Sequence, residues 1–469
     1  MVVGSVSRGC QVVVVGAGPG GYVAALRLAQ LGKDVILVDK GPRLGGVCLN
    51  VGCIPSKAMI HASDLAFEVQ HGTNMGLSVD NVRVDMPTLV GWKDGIVERL
   101  TGGIGYLCSK NGVEVVFGSA EFIDDRRLSV ATEDGHVEIE FEKAVIATGS
   151  SPMELSGLPF DGERIIGSTE ALSLQEVPDN LVVVGAGYIG LELGTVYAKL
   201  GSKVTIVEFL PEIVPGLDRD VAKTLQRRLK KLKIKLMLSH RAESFADGAL
   251  VVSTADGEQK QIPADVVMVS VGRLPNTRGL GLDAAGVAVD EKGFITVNDR
   301  QETSAPGIFA IGDVVGGALL AHKAYQEAKV AADVIAGEPA AFDNVAVPAV
   351  MYTDPEVAMA GLTEAEAAEQ GYEVVTGSFS FKASGRAMTL DATDGFIKVV
   401  ADAESKQLLG AVAVGKGVSE LIGEATLALE MGAFLEDVAL TIHPHPTMSE
   451  AFQEAVEAAL GKAVHQVNS

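Results

Sequence analysis

An α/β fold built on two Rossmann-like domains is what this 469-residue chain predicts, on three observations. One unit occurs twice: residues 16–40 and 185–209 align without a gap. Each copy runs from an apolar strand through a Gly-x-Gly-x-x-Gly turn into a helix and a second strand. An acidic residue ends that second strand at the same offset in both copies.

In the first copy, Val12–Val15 is a continuous apolar strand. Gly16, Gly18 and Gly21 make the turn, a helix runs from near Gly20 to Leu31, and a strand spans Asp34–Asp39. The second copy repeats the plan with Leu181–Val184, with Gly185, Gly187 and Gly190, with a helix to Leu200 and with a strand Lys203–Glu208. The first glycine allows a tight turn, the second lets backbone approach a pyrophosphate, and the third lets helix and strand pack closely. The free N–H groups of the helix N-terminus then face the anion. Asp39 and Glu208, each 23 positions after the leading glycine, are placed for ribose hydroxyls. An isolated glycine motif is weak, but the complete strand, turn, helix, strand and acid occurring twice implies two dinucleotide sites. Glu208 repels a 2′-phosphate and Phe209-Leu210-Pro211 supplies no Arg to accept one, so the second site is expected to take NAD rather than NADP.

Between the two copies lies Gly45-Gly46-Val47-Cys48-Leu49-Asn50-Val51-Gly52-Cys53-Ile54-Pro55-Ser56-Lys57. Only four residues separate its cysteines, and a bridge across so short a loop would constrain little unfolded chain in a protein of this size. Redox chemistry is the better use for such a pair. The turn-rich stretches Ala147–Pro152 and Val271–Asn276 read as chain crossings between domains. Beyond Val347 the pattern changes to strands such as Gly395–Ala401 and Leu408–Val414, and to helices near Ser419–Met431 and Ser449–Leu460. Just before the last helix stand His443, His445 and Glu450. A thiol is a poor nucleophile until deprotonated, an imidazole near neutrality takes and returns that proton, and a carboxylate on its other nitrogen fixes the tautomer.

Composition narrows the class. Length suggests about three domains, and 47% hydrophobic residues supply several cores. A formal charge of −23 argues against nucleic-acid binding and leaves an acidic surface for a basic protein partner. Four cysteines do not make a secreted disulfide scaffold, and Cys10 and Cys108 are expected to be buried small hydrophobes. The run Val12–Val15 flows into the glycine turn and so is not an export signal. No membrane span and no metal site is expected, and the expected location is cytoplasmic.

The segment from Gly45 to Lys57, the paired glycine units and the Thr441–Glu450 stretch together resemble the flavin-dependent pyridine nucleotide:disulfide oxidoreductases, over nearly the whole chain. The resemblance implies an FAD domain over 1–150, an inserted NAD domain over 151–271, completion of the FAD part over 272–345, and a C-terminal α+β dimerisation domain over 346–469. It implies that Cys48 and Cys53 form a redox-active disulfide that oxidises protein-bound dihydrolipoyl groups, with FAD and NAD as cofactors. His445 becomes the acid/base, supplied by the other subunit of a homodimer, and Glu450 holds its ring, while His443 is structural. Gly16, Gly18, Gly21, Asp39, Thr148 and Gly149 fall to FAD, as does Asp313 in a second flavin motif, Thr303–Asp313. Ala321 opens a helix aimed at the flavin, with His322 acting through its backbone; the following Tyr325-Gln326 departs from the family pattern. Gly185, Gly187, Gly190, Glu208 and Gly272 fall to NAD and the flavin edge. Lys57 and Glu192 form an ion pair beside the flavin, and Tyr188 covers the nicotinamide pocket. The implied partners are a lipoyl domain and the peripheral subunit-binding domain of an acyltransferase core, in a 2-oxo acid dehydrogenase complex or a glycine cleavage system.

Overall fold

The computed structural model describes residues 6–468. The first five residues of the expected FAD domain and the last of the expected dimerisation domain lie outside the described residues.

The first sheet has seven strands. Its path runs Glu114–Phe117, Val35–Asp39, Val6–Val15, Gly135–Ile146, Arg127–Thr132 and Ser119–Phe122, with Ile308–Ala310 also pairing with Gly135–Ile146. Val12–Val15 is buried on both faces, as four consecutive valines in a parallel sheet should be. The strand begins at Val6 rather than Val12 because Val6–Cys10 also pair with Val137–Phe141. Ser7-Arg8-Gly9 interrupts the apolar run, so only the pairing partner reveals that extension. Helices α1 (Pro19–Gln30), α2 (Gly46–Val51), α3 (Cys53–His71) and α4 (Met86–Lys110) belong to this part.

The second sheet is parallel, in the order Lys235–Met237, Lys203–Val207, Asn180–Val184, Val266–Val269 and Ile165–Ile166. Short α5 (Ser168–Ala171), α6 (Tyr188–Leu200) and α7 (Arg219–Lys231) accompany it. Leu191 and Val196 of α6 pack with Val183 and Ile206 of the sheet, while Leu250 and Val252 of a three-stranded antiparallel layer pack with Val182 and Val267. The chain enters and leaves this body side by side, because Ser150–Pro152 and Arg273–Pro275 form an antiparallel ribbon. It then rejoins the first sheet at Ile308–Ala310 and continues into α8 (Ala321–Ala336). The second Rossmann unit is therefore an insertion into the first.

A five-stranded antiparallel sheet completes the chain, in the order Ala349–Met351, Glu356–Gly361, Leu408–Gly415, Phe396–Asp402 and Val374–Ser380. Its helices are α9 (Glu364–Glu369), α10 (Gly385–Thr389), α11 (Val418–Glu430), α12 (Leu435–Leu440) and α13 (Glu450–Ala459). Phe452, Ala455 and Val456 of α13 join Phe379, Ile397 and Val399 in one core. Among the described residues, no helix is long and apolar enough to cross a membrane.

The close approach of α13 depends on Gly377, where a Cβ would lie 2.1 Å from Ala455 O and 2.3 Å from Ala459 N. Gly377→Ala is therefore expected to cost roughly 1–3 kcal/mol of stability by overpacking, measured by denaturant unfolding of the whole protein.

Candidate active site

A cavity of about 940 Å³ opens within the first body, near the upper end of the roughly 300–1,000 Å³ typical of ligand sites. It runs from Gly16, Gly18 and Asp39 to Cys48, Cys53 and Lys57. Thr148, Gly149, Asp313 and Ala321 line it, and Tyr188 and Glu192 of α6 close it from the inserted body. Residues far apart in sequence are thereby brought to one wall.

The two glycine turns are built alike. A Cβ on Gly16 (φ +102°) would lie 2.3 Å from Ala147 O, and one on Gly185 (φ +106°) would lie 2.5 Å from Ser270 O. At the third glycines the clash is with the first glycine's carbonyl, at 1.7 Å for Gly21 and 2.2 Å for Gly190. Gly18 has no such neighbour nearer than 4.0 Å and Gly187 has none within 4 Å, so the backbone of each turn stays open to approach. Neither α1 nor α6 has a side-chain cap, which leaves first-turn N–H groups free for an anion. The acids repeat the symmetry. Asp39 accepts from Ala17 N (2.5 Å) and Gly41 N (2.7 Å), while Glu208 accepts from Ala186 N (2.7 Å) and Leu210 N (2.8 Å). Each carboxylate thus ties the end of its strand to its own turn. Gly185, Gly187, Gly190 and Glu208 do not line the cavity of the cysteines; α6 links the two regions. Gly272 (φ +141°) lies beside the ribbon and Gly21 lies beneath the first turn.

The thiol pair is created by a break. Gly52, at φ −138° and ψ −113°, ends α2 and lets Cys53 start α3, and a Cβ there would lie 2.9 Å from Val47 O. Cys48 is half-buried and Cys53 is exposed, and no bridge joins them here. The Cys48 thiol hydrogen-bonds to Cys53. That bond, joined by the charge of Lys57 one turn along α3, outweighs burial and lowers Cys53 to about 7. Cys48, the donor in that bond and itself half-buried, is pushed strongly up. The pair is therefore polarised, with the thiolate on Cys53. Lys57 Nζ lies 2.9 Å from Glu192 Oε2 and 4.4 Å from the centre of the Tyr352 ring. Cys10 and Cys108 are buried, and burial raises both thiols, so neither is a reactive centre.

His445 and Glu450 form a separate pair on the C-terminal domain. His445 Nδ1 meets Glu450 Oε1 at 2.8 Å, and the other carboxylate oxygen accepts from Thr447 N at 2.7 Å. Burial raises the Glu450 carboxyl, but those two bonds outweigh it and hold it below its usual value. With Nδ1–H given to Glu450, the second ring nitrogen is left to exchange a proton, and the His445 side chain is 79% exposed. This pair does not line the cysteine cavity of its own chain. His443 is engaged at both ring nitrogens, by Glu424 (2.7 Å) and Thr441 O (2.9 Å). His322 meets Pro348 O at 2.6 Å and stays out of the cavity wall.

Several site residues carried no readable sequence signal. Ser150 donates to Asp313 (2.5 Å) and accepts from Arg273 Nε (2.7 Å), which holds Asp313 at the ribbon. Buried Glu327 accepts from Gly312 N at 2.7 Å and so ties α8 to the same turn. Lys93 is buried in the cavity wall beside Asp94. The ribbon pairing at 150 and 273, and a buried acid one helical turn after Lys323, are the only cues that could have pointed to them.

The wall fits FAD. An uncapped helix end and open glycine turn suit a pyrophosphate, and Asp39 suits a ribose. The second turn with Glu208 fits NAD on the same grounds.

Reduction of the protein followed by alkylation, with Cys48 and Cys53 resolved by mass spectrometry, is expected to show the first thiol proton leaving near pH 7. Lys57→Met is expected to move that midpoint up by about one unit, the loss of a nearby cation disfavouring the thiolate.

Comparison with known proteins gives the lineage. Residues 10–328 match the pyridine nucleotide-disulphide oxidoreductase family and residues 347–456 match its dimerisation domain. The chain is 50% identical to the dihydrolipoyl dehydrogenase of Halobacterium salinarum, with all of both chains covered. It is 48% identical to that of Geobacillus stearothermophilus, with 99% of each covered. Among solved structures, LpdA from Mycobacterium tuberculosis superposes with a TM-score of 0.89 at 27% identity, over 95% of this chain and 99% of that one. The flavoprotein disulfide reductase RclA from Escherichia coli does so with a TM-score of 0.85 at 28% identity, over 95% and 99%. By sequence over its full length and by architecture, the chain belongs to the pyridine nucleotide-disulphide oxidoreductase family.

Proposed function

We propose that this protein oxidises protein-bound dihydrolipoyl groups and reduces NAD, as the dihydrolipoyl dehydrogenase component of a 2-oxo acid dehydrogenase complex or a glycine cleavage system. The observation that carries the reading is the Cys48–Cys53 pair in the wall of one cavity, which the first glycine turn lines and Tyr188 and Glu192 of the inserted unit close. Its division follows the boundaries 1–150, 151–271, 272–345 and 346–469.

His445 takes the proton of a substrate thiol, and the resulting thiolate attacks Cys48 of the oxidised pair, so the Cys48–Cys53 bond breaks and Cys53 leaves as thiolate. The second substrate thiol attacks the substrate sulfur held on Cys48, closing the cyclic disulfide and releasing Cys48, which takes up the proton that this second thiol loses, while the first proton stays on the His445 imidazolium until it passes to solvent. Lys57 and the Cys48 thiol hold the charge on Cys53. Bound FAD supplies the two-electron acceptor between this thiolate and NAD. Glu192 orients Lys57 at the junction, Tyr188 covers the nicotinamide side, and Glu208 selects the unphosphorylated ribose.

His445 and Glu450 stand apart from their own chain's cysteines, which supports a homodimer in which each subunit lends this pair to its partner. The net charge of −23 supports docking of a basic peripheral subunit-binding module of an acyltransferase core, with a lipoyl domain delivering the substrate arm. Such docking weakens as salt rises. A cytoplasmic location accords with this reading.

The deciding experiment measures NAD-dependent dihydrolipoamide oxidation by FAD-loaded protein, with NADP and glutathione as controls. Turnover with NAD and dihydrolipoamide alone is expected; turnover of glutathione instead would move the substrate. Cys48→Ser is expected to abolish turnover with flavin still bound, and His445→Gln to lower it by about 10²–10⁴.

A further inference from the structure

Helices α3 and α6 face each other across the junction of the two nucleotide-binding bodies, and charged residues meet there twice. Lys57 of α3 pairs with Glu192 of α6 at 2.9 Å. Seven residues further along both helices, Asp64 of α3 pairs with Lys199 of α6 at 2.6 Å. A seven-residue step is about 10 Å along a helix and returns to the same face, so these are two rungs of one parallel pair, with the charges exchanged between helices.

The second rung is built more heavily than the first. The Lys199 side chain is 4% exposed, and its Nζ also lies 2.6 Å from Asp354 of the C-terminal domain. Asp354 in turn receives Arg228 of α7 at 2.7 Å. The Lys199 ammonium and the Arg228 guanidinium lie over the ring of Phe67, at 5.6 and 5.7 Å from its centre. All three domains therefore place charge around the buried Lys199, with the Asp64 side chain 41% exposed at its edge. The same C-terminal segment reaches the first rung, because Tyr352 N donates to Glu192 Oε1 at 2.8 Å and the Tyr352 ring lies under Lys57. Between the rungs the helices do not close completely. A cavity of about 10 Å³ is lined there by Ser63, Thr195 and Val196. Charge pairing of this kind can specify the register of two packed helices.

We propose that Asp64, Lys199 and Asp354 form a positioning rung that sets α3 against α6, and that Lys57 and Glu192 keep their working geometry at the nucleotide junction because of it. The proposal rests on the reading of Lys57–Glu192 as part of the site of electron passage. Neither Lys199 nor Asp64 touches the cysteine cavity, so both act through the first rung. A misplacement of about 1 Å at such a site costs up to about a hundredfold in rate.

The test compares Lys199→Met, Lys199→Arg and Asp64→Asn in the full-length, FAD-loaded protein. Dithiol ionisation in the reduced protein is followed by mass-resolved alkylation, together with kcat and KM for dihydrolipoamide. Lys199→Met is expected to raise the midpoint from its value of about 7, as Lys57 is released from its place, and to lower kcat roughly tenfold at unchanged KM. Lys199→Arg is expected to restore both. Asp64→Asn, which keeps the Lys199–Asp354 contact, is expected to move both in the same direction by less, and it carries the test if Lys199→Met does not fold. A midpoint at the wild-type value in each charge-removing variant that folds overturns the proposal, as does failure of Lys199→Arg to restore it. Failure of the wild-type protein to oxidise dihydrolipoamide would remove the functional reading and leave the midpoint comparison intact.

Discussion

The contact between Lys57 and Glu192 is the constraint on which the rest of the architecture turns. Glu192 is buried, and a buried carboxylate left alone is costly. Here Lys57 Nζ and the Tyr352 N–H satisfy it from two other domains. Removal of one partner from such a pair typically costs about 3–5 kcal/mol. The pair therefore acts as a condition on assembly: the inserted body must dock on α3 in one register, or a charge is stranded. Because Cys53 lies one turn before Lys57 on the same helix, that register also fixes the charge felt by the thiolate.

The two glycine turns are built by the same device. Asp39 and Glu208 each anchor a glycine turn through the backbone N–H that follows its first glycine, at 2.5 and 2.7 Å. The acid at the strand end thus holds the turn in shape. The two units differ in what their helices meet next. The first leads to the break at Gly52 that creates the thiol pair, and the second presents Tyr188 and Glu192 to the same cavity. The antiparallel ribbon at Ser150 and Arg273 secures the inserted body by both of its ends and holds Asp313 through Ser150.

Much of this was legible in the sequence because the decisive signals are local. The glycine spacings, the acids 23 residues on and the valine strand each report a single βαβ unit whose physics is short-range. The cysteine pair was legible for the same reason, although Gly52 as the breaker between two helices was not, since its role depends on the nearby Val47 carbonyl. What could not be read is non-local. The extension of the first strand to Val6 needs its partner at Val137, and the hold of Ser150 and Arg273 on Asp313 spans more than a hundred residues. The rung of Asp64, Lys199 and Asp354 looks in sequence like three unrelated surface charges. His445 and Glu450 were legible as a pair by spacing, while their distance from the cysteines of the same chain required the fold.

The most direct test of the central constraint is a double-mutant cycle on Lys57→Met and Glu192→Gln, read as NAD-linked turnover of dihydrolipoamide. If the two residues act as one unit, the double variant is no slower than the slower single variant, with a coupling of about 0.5–3 kcal/mol. Losses that simply multiply would show that the residues act independently, and would contradict the account.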